Sequence, residues 1–507
     1  MNGMDIFFYI LFWVNRVAVI LVTISFIPQF IFYFFFFLRR RHWKESTEYH
    51  KAAVIIAAHN EEECIGKTIK EILNNQNYPK DKYKVYVCAH NCKDKTATEA
   101  EKAGAKVYIL NDSNPKHHRV SYPLKYRINR ILEEDKDVEF FIRFDADNLP
   151  HPDFIRQRNN SISAGAKIVR AYEAASNLKQ NIWTETCALF YTKDSRIQNT
   201  FRQAFHSTAR IPGPGLTFTR EVAEKRNGWD CRSAAEDAEF TLKRLYDGYK
   251  CYFNTDAIVY EDQPSSFKDT KNRLIRLGHS LNRLFFTDGW RRIIRFFKTG
   301  NPMYLDRLLQ IGFNPISVLC FVWFPLYYIF YAILRLIQGF GGVEIFRQYF
   351  AKVGISNFHH DNFFIRFSYW DDALFQSFSP SKQSQLLGQA AIYDLLIRAA
   401  EVILVLVLFC IFQSFLAVFL DRRKLGRDYH LKGRWKGILL SPIFTFVYGL
   451  CNVIGVLTKP KWKIAKRNQN QIDIRYPLPE RKKKTRYILL SEREKRRYGG
   501  KEKCSAK

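Results

Sequence analysis

The sequence predicts an α/β domain on a mainly parallel sheet, with helices on both faces and transmembrane helices attached. Three observations predict it. Short apolar runs alternate with helical patterns between residues 51 and 284. Long, phenylalanine-rich runs stand on either side of that stretch, and polar clusters directly follow three of the short runs. Alternating strand and helix patterns argue for parallel strands joined by crossover helices.

Composition agrees with this division. The chain has 507 residues, room for about two or three domains. Aromatic residues make up 16% and Phe alone contributes 44. Mean hydropathy is nevertheless −0.26, because a charged middle averages against apolar ends. The formal net charge of +30 gathers beside the apolar runs and in the tail, at Arg39-Arg40-Arg41, Arg422-Arg423-Lys424, Arg481-Lys482-Lys483-Lys484 and Glu494-Lys495-Arg496-Arg497. Juxtamembrane clusters of this kind attract anionic membrane lipids and set topology. No nucleic-acid motif accompanies them, so a nucleic-acid partner is not expected. The ten cysteines form no disulfide framework and no Cys-Xaa-Xaa-Cys pair. Cys88, His90 and Cys92 alternate at a strand end, where a reduced cytosolic core is expected in preference to a metal site.

In chain order, residues 1–44 form a membrane anchor with a basic flank. The apolar run 6–38 is interrupted by Asn15 and Arg16, and residues 17–38 suffice to cross a bilayer, which takes roughly 20 residues. No small-residue cleavage site follows, so an anchor is expected and not a removed signal peptide. The flank from Arg39 to Lys44 places the next domain, 45–290, in the cytoplasm. There, residues 52–58, 84–89, 106–110 and 138–144 read as buried strands, with helices near 61–74, 96–103 and 124–133. Apolar runs return at 315–337, 397–420 and 437–457, within a membrane and interfacial region 291–460. An inserted segment, 338–396, carries His359-His360 and reads as an interfacial or extracytoplasmic subdomain. Three further crossings would leave the basic tail 461–507 outside, against the positive-inside rule. Residues 437–457, broken by Ser441-Pro442 and Gly449, are therefore expected to be re-entrant or interfacial in a multi-pass protein of the cell membrane.

Ligands of parallel α/β sheets bind beyond the carboxyl ends of the strands. That rule directs attention to His59-Asn60-Glu61, His90-Asn91 and Asp145-Ala146-Asp147. Carboxylates at i and i+2 on a strand end point to one side and offer hard oxygens to Mg2+ or Mn2+ bridging a diphosphate. An Asp-Xaa-Asp is also common in surface loops. Glu236 and Asp237 open a helical stretch, where carboxylates favour the positive end of the dipole. The alternative makes Asp237 a general base. Gly213-Pro214-Gly215 is either turn punctuation or a place where a ligand approaches backbone.

The order of these pieces is more specific than any one of them. From Ala52 to about His279 the chain resembles the family 2 glycosyltransferases, and most of all bacterial membrane synthases related to poly-N-acetylglucosamine, hyaluronan and cellulose synthases. The matching motifs are Ala58-His59-Asn60-Glu61, Asn91-Cys92-Lys93-Asp94, Phe144-Asp145-Ala146-Asp147-Asn148, Gly213-Pro214-Gly215, Glu236-Asp237 and Tyr260-Glu261-Asp262-Gln263-Pro264. The resemblance implies a nucleotide-sugar-binding domain in which His59, Asn60, Glu61 and Asp94 line the nucleotide pocket. It also implies that Asp145 contacts the donor, Asp147 binds the metal, Asp237 is the base and Glu236 supports it. A helix from Phe267 would bring Arg276 toward the diphosphate.

Three departures qualify it. His90 stands where an aspartate is usual, and Arg273-Leu274-Ile275-Arg276-Leu277 replaces a Gln-Xaa-Xaa-Arg-Trp signature, losing the tryptophan beside the acceptor sugar. The turn Lys116-His117-His118-Arg119 is altered too. The resulting expectation is an inverting transferase moving a sugar from a UDP-sugar to a lipid or glycan acceptor, in polysaccharide biosynthesis, with product export as an extension. The alternative is a degenerate, non-catalytic membrane scaffold.

Overall fold

The computed structural model describes residues 3–35, 41–114, 117, 120–210, 213–233, 235–339, 359–361, 366–368, 377, 379–421, 433–458, 486–492 and 494. His118, Arg119, residues 340–358 of the inserted segment 338–396 and the basic clusters at 422–424 and 481–484 lie outside them. The chain divides into two compact units, one of residues 1–28 with 313–412, the other of residues 29–312 with 413–507.

The second unit is built on an eight-stranded sheet of order β4-β3-β2-β5-β8-β7-β9-β6. Its strands are β2 (Ala52–Ala58), β3 (Tyr83–His90), β4 (Lys106–Leu110), β5 (Phe140–Phe144), β6 (Leu149–Pro150), β7 (Ile168–Ala175), β8 (Leu216–Thr219) and β9 (Cys251–Glu261). β4, β3, β2 and β5 run parallel. β8 is antiparallel to both β5 and β7, and β7 is parallel to β9.

The sequence of β2, AAVIIAA, is apolar throughout because both of its faces are covered. Ala53 and Ile55 point to one layer with Leu124, Ile128 and Ile131 of α4 (Ser121–Glu134). Ala52, Val54 and Ile56 point to the other, with Ile65, Ile69 and Ile72 of α2 (Ile65–Asn75) and Phe154 of α5 (Phe154–Ser163). Burying each of those isoleucines contributes roughly 2 kcal/mol, and that burial fixes the helices to the sheet.

Further helices complete the unit: α3 (Thr96–Lys102), α6 (Ile182–Lys193), α7 (Asn199–Ala204), α8 (Arg220–Glu224), α9 (Glu236–Tyr246) and the long α10 (Phe267–Thr299). A short strand β1 (Arg41–His42) pairs in parallel with the C-terminal Arg486–Tyr487, and Ile488 joins Trp43 and Tyr252 in a small core.

α1 (Gly3–Phe34), α11 (Pro302–Gly339) and α12 (Pro380–Asp421) supply the first unit with helical residues 3–28, 313–339 and 380–412. There Trp323 Nε1 donates to Asn15 Oδ1 at 3.1 Å, which gives the polar break in the first apolar run a partner. His359 and His360 lie on a short antiparallel pair opposite Ser368 and Phe367.

α13 (Trp435–Leu457) belongs to the second unit. The segment Ala399–Asp421 and α13 are each long and apolar enough to cross a membrane by length and composition, whereas the apolar helical stretches Trp13–Ser25 and Pro315–Phe330 are shorter. α13 corrects the expectation of a broken segment, since it is one continuous helix with Pro442 inside it. Proline at that position frees the carbonyl four residues earlier. The Ser441 hydroxyl donates to that carbonyl, Ile438 O, at 2.8 Å.

Candidate active site

Parallel register brings the carboxyl ends of the central strands to one edge: Ala58 pairs with Ala89, His90 with Leu110, and Ile56 with Phe144. Asn60 and Asn91 turn the chain there with φ of 55° and 52°, a conformation asparagine tolerates better than most residues. Asn60 Oδ1 accepts from Lys93 N at 2.8 Å, and His59 Nδ1 meets His90 O at 2.7 Å. The Glu61 amide donates to Thr96 Oγ1 at 2.8 Å. Asp94 accepts from the amides of Thr96 at 3.1 Å and Glu62 at 3.2 Å. Burial pushes the Asp94 carboxyl up, but the Thr96 hydroxyl and these amides together hold it below the ordinary value. The structure thus joins His59, Asn60, Glu61 and Asp94 in one two-loop lattice.

The acidic pieces meet on an arginine that sequence reasoning missed. Arg143 lies on β5, two residues before Asp145, and its side chain is only 5% exposed. Its Nη1 donates to Asp237 Oδ1, and its Nη2 reaches Glu236 Oε1 at 3.0 Å and Asp145 Oδ1 at 3.4 Å. The guanidinium carbon sits 5.7 Å from the Trp229 ring centroid. A charged residue in an otherwise apolar strand, at i−2 from a carboxylate, was the available signal. Burial raises the Asp237 carboxyl to about 8, Glu236 and Asp145 push the same way, and Arg143 offsets part of the rise. A carboxyl poised there suits proton transfer near neutral pH.

The glycine loop closes on this cluster. Gly213 has φ of 59°, and a Cβ there would stand 2.8 Å from Asp237 Oδ2 and 3.4 Å from Arg143 Nη1. Gly215, at φ of 68°, is pressed instead on Ala171 and Phe154, so it serves packing.

α10 contributes from the far side. Burial pushes the Arg276 guanidinium down and so does Arg273, while Glu236, Tyr191 and Asp145 pull it up. Arg273, in the position of the lost glutamine, donates to Glu261 Oε1 at 2.8 Å, Tyr191 OH at 2.8 Å and Gln263 Oε1 at 3.2 Å. α10 is held by α13 through close glycine contacts. A Cβ on Gly455 would stand 2.7 Å from His279 N and 2.8 Å from Ile275 O.

Asp147 follows Asp145 by two residues, is 8% exposed, and accepts from Asn148 Nδ2 at 3.2 Å. Among the described residues no group of three or more His, Cys, Asp or Glu side chains is arranged to hold a metal. Asp145 and Asp147 do fit Mg2+ or Mn2+ as that ion is usually held, by one or two carboxylates with substrate phosphates completing the shell. His90 is 6% exposed and lies 6.0 Å from Tyr122, whose ring stacks on His117 at 3.9 Å, a group at the β3 edge that the sequence reading did not assemble.

A sheet of this topology, with acidic groups and a glycine loop at the carboxyl edge, defines a class. Residues 50–279 match the model of the family described as "Glycosyltransferase like family 2". This segment is therefore similar to a family 2 glycosyltransferase domain. Among particular proteins, the chain is 29% identical over 217 residues to "Probable glycosyltransferase YdaM" of Bacillus subtilis (strain 168), covering 41% of this chain and 50% of that protein. The chain therefore spans half the length of that relative. It is 23% identical over 274 residues to the dolichyl N-acetyl-alpha-D-glucosaminyl phosphate 3-beta-D-2,3-diacetamido-2,3-dideoxy-beta-D-glucuronosyltransferase of Methanococcus voltae, covering 52% of this chain and 81% of that one. Among solved structures it is similar to the mannosyltransferase PcManGT from Pyrobaculum calidifontis, in complex with GDP-Man and Mn2+. The TM-score is 0.44 at 16% identity, covering 76% of this chain and 97% of that one. S. aureus TarS gives a TM-score of 0.32 at 14% identity over 53% and 51%.

Proposed function

We propose that the chain is an inverting glycosyltransferase that moves a sugar from a UDP-sugar to a lipid or glycan acceptor at a membrane. The observation that carries this is the convergence of Asp145, Glu236 and Asp237 on Arg143 at the carboxyl edge of a family 2 domain. Asp237 accepts the proton of the acceptor hydroxyl as that oxygen attacks the anomeric carbon. The bond from that carbon to the diphosphate oxygen breaks, and its electron pair leaves with UDP. Glu236 shares Arg143 with Asp237 and so orients the base. Asp147, with Asp145, would hold Mg2+ or Mn2+, whose charge neutralises the leaving diphosphate. In this reading Arg276 of α10 supplies a further cation toward the diphosphate.

The loops of His59–Glu61 and Asp94 line the nucleotide end in this reading. The named acceptor of the M. voltae relative is a dolichyl phosphate sugar, which supports a lipid-linked acceptor. The two apolar helices support residence at a membrane, and the motif resemblance supports the cytoplasmic side and a role in polysaccharide synthesis. Arg273 in place of the usual glutamine, and Leu277 in place of tryptophan, favour transfer of one or a few sugars over long processive runs.

The scaffold alternative rests on those same departures and on His90. It leaves a buried cluster of unlike charges without a use. The test is UDP release by purified, detergent-solubilised protein with Mn2+ across a panel of UDP-sugars, beside Asp237→Asn. Turnover with one donor, lost in the variant, establishes the transferase. Silence with every donor, in the presence of native lipids and added acceptors, returns the scaffold.

A further inference from the structure

One guanidinium in this site faces three carboxylates, and the three belong to different tasks. Asp145 directly follows β5, while Glu236 and Asp237 open α9; in the transferase reading the first serves the donor and the other two the acceptor. Arg143 is the only residue to which the described hydrogen bonds tie all of them. Its surroundings hold it closely: its side chain is 5% exposed, a Cβ on Gly213 would stand 3.4 Å from Nη1, and the guanidinium carbon lies 5.7 Å from the Trp229 ring centroid. Its Nε is buried without a hydrogen-bond partner, a loss accepted in exchange for the three acidic contacts.

We propose that Arg143 is a positioning residue through which the donor half of the site is coupled to the base, and this rests on the transferase reading above. Before donor arrives, the cation is divided between Asp145 and the Glu236–Asp237 pair. When Asp145 turns to a cation-bound diphosphate, its share of Arg143 is released. The guanidinium is then left wholly on Glu236 and Asp237, fixing the base when an acceptor is to be deprotonated. A fork with two donor nitrogens does this and an ammonium does not, because only the fork spans two carboxylates in one plane. The coupling also sets a sign. Arg143 competes with a divalent cation for Asp145, so its charge weakens cation binding while its geometry speeds transfer.

The experiment compares wild type, Arg143→Gln and Arg143→Lys as full-length, detergent-solubilised proteins. Mn2+ affinity is read from the electron paramagnetic resonance signal of free Mn2+, with Asp147→Asn marking binding elsewhere, and turnover is followed by UDP release. Arg143→Gln is expected to bind Mn2+ about tenfold more tightly, since a cation next to the ligand set is gone. Its kcat is expected to fall about a hundredfold, as misplacing a catalytic group does, with a smaller change in donor KM. Arg143→Lys should keep near-wild-type Mn2+ affinity yet lose most of kcat, and it serves alone should the glutamine variant not fold.

Damage to the fold would lower both quantities together and show as a lowered unfolding midpoint; weaker or unchanged Mn2+ binding in an Arg143→Gln protein that unfolds as wild type does overturns the coupling. Unchanged kcat in both variants overturns it too. Should wild type be silent with every donor, the transferase reading fails, and the Mn2+ titration still decides whether Arg143 and the cation oppose each other.

Discussion

Replacing Asp237 by Asn removes one of three carboxylates held on a single buried cation, and the structure predicts that it trades activity for stability. In wild type the carboxyl is raised from 3.8 to about 8 by burial, with Glu236 and Asp145 adding and Arg143 subtracting. A raised acid binds its proton more tightly folded than unfolded. The group therefore costs nothing below pH 3.8, costs increasingly as pH rises from there toward 8, and costs its full amount above. At about 1.4 kcal/mol per pH unit the upper bound is about 6 kcal/mol. The side chain is 23% exposed, and solvent and relaxation reduce the figure, so about 2–4 kcal/mol is expected. Asn keeps an acceptor for Arg143 and carries no charge.

Asp237→Asn should therefore be more stable than wild type at pH 9, by roughly 5–10 °C in midpoint for a domain of this size. The advantage should shrink to about 1 kcal/mol or less at pH 5. The assay is thermal unfolding of both proteins in one detergent from pH 5 to 9. Transfer should meanwhile fall about 10²–10⁴-fold. A variant less stable than wild type at pH 9, or a stability gap that ignores pH, would refute the reasoning.

The remaining predictions concern neighbouring parts of the site. The kcat/KM of wild type should rise about tenfold per pH unit below about 8 and then level, because free enzyme needs Asp237 ionised; a flat profile from pH 6 to 9 counts against this base. Gly213→Ala combines a left-handed φ with a Cβ 2.8 Å from Asp237 Oδ2; it should cost about 1–3 kcal/mol and at least tenfold in turnover, both measurable on one preparation. Gly455→Val drives a side chain into the α10 backbone at Ile275 and His279; an unfolding free energy lowered by about 1–3 kcal/mol and weaker donor binding through Arg276 are expected. Arg273→Gln restores the residue usual in the resembling synthases but leaves Glu261 without its 2.8 Å partner; a loss of about 1–3 kcal/mol is expected, with no gain in product length by gel.

The parallel half of the sheet was legible because its strands are mostly apolar and bounded by polar residues. β2 and β4 fall on the residues the pattern marks, Ala52–Ala58 and Lys106–Leu110. The half built from β7, β8 and β9 was not, since β7 buries Arg170 and Glu173 within the strand and offers no clean period. Asp145, Glu236 and Asp237 were found as motifs, and the structure brings those three together. What linked them was not found. Arg143 lies inside FFIRF, where apolar neighbours hide a charge, and its partners at 236 and 237 are distant in sequence. The continuity of α13 was hidden for a local reason. Ser441-Pro442 reads as a break, but the serine hydroxyl satisfies the carbonyl that the proline frees. The replacement at residue 273 read as a loss, whereas in the fold Arg273 takes Glu261, Gln263 and Tyr191 as partners.

A single displacement assisted by one base has a stereochemical signature. With the donor identified from the UDP-sugar panel, the anomeric configuration of the newly transferred sugar can be read by proton NMR on the product as it forms. An α-linked UDP-sugar giving a β-linked product is the result predicted for Asp237 acting alone on the acceptor hydroxyl. An α-linked product, retained from the donor, would contradict that account.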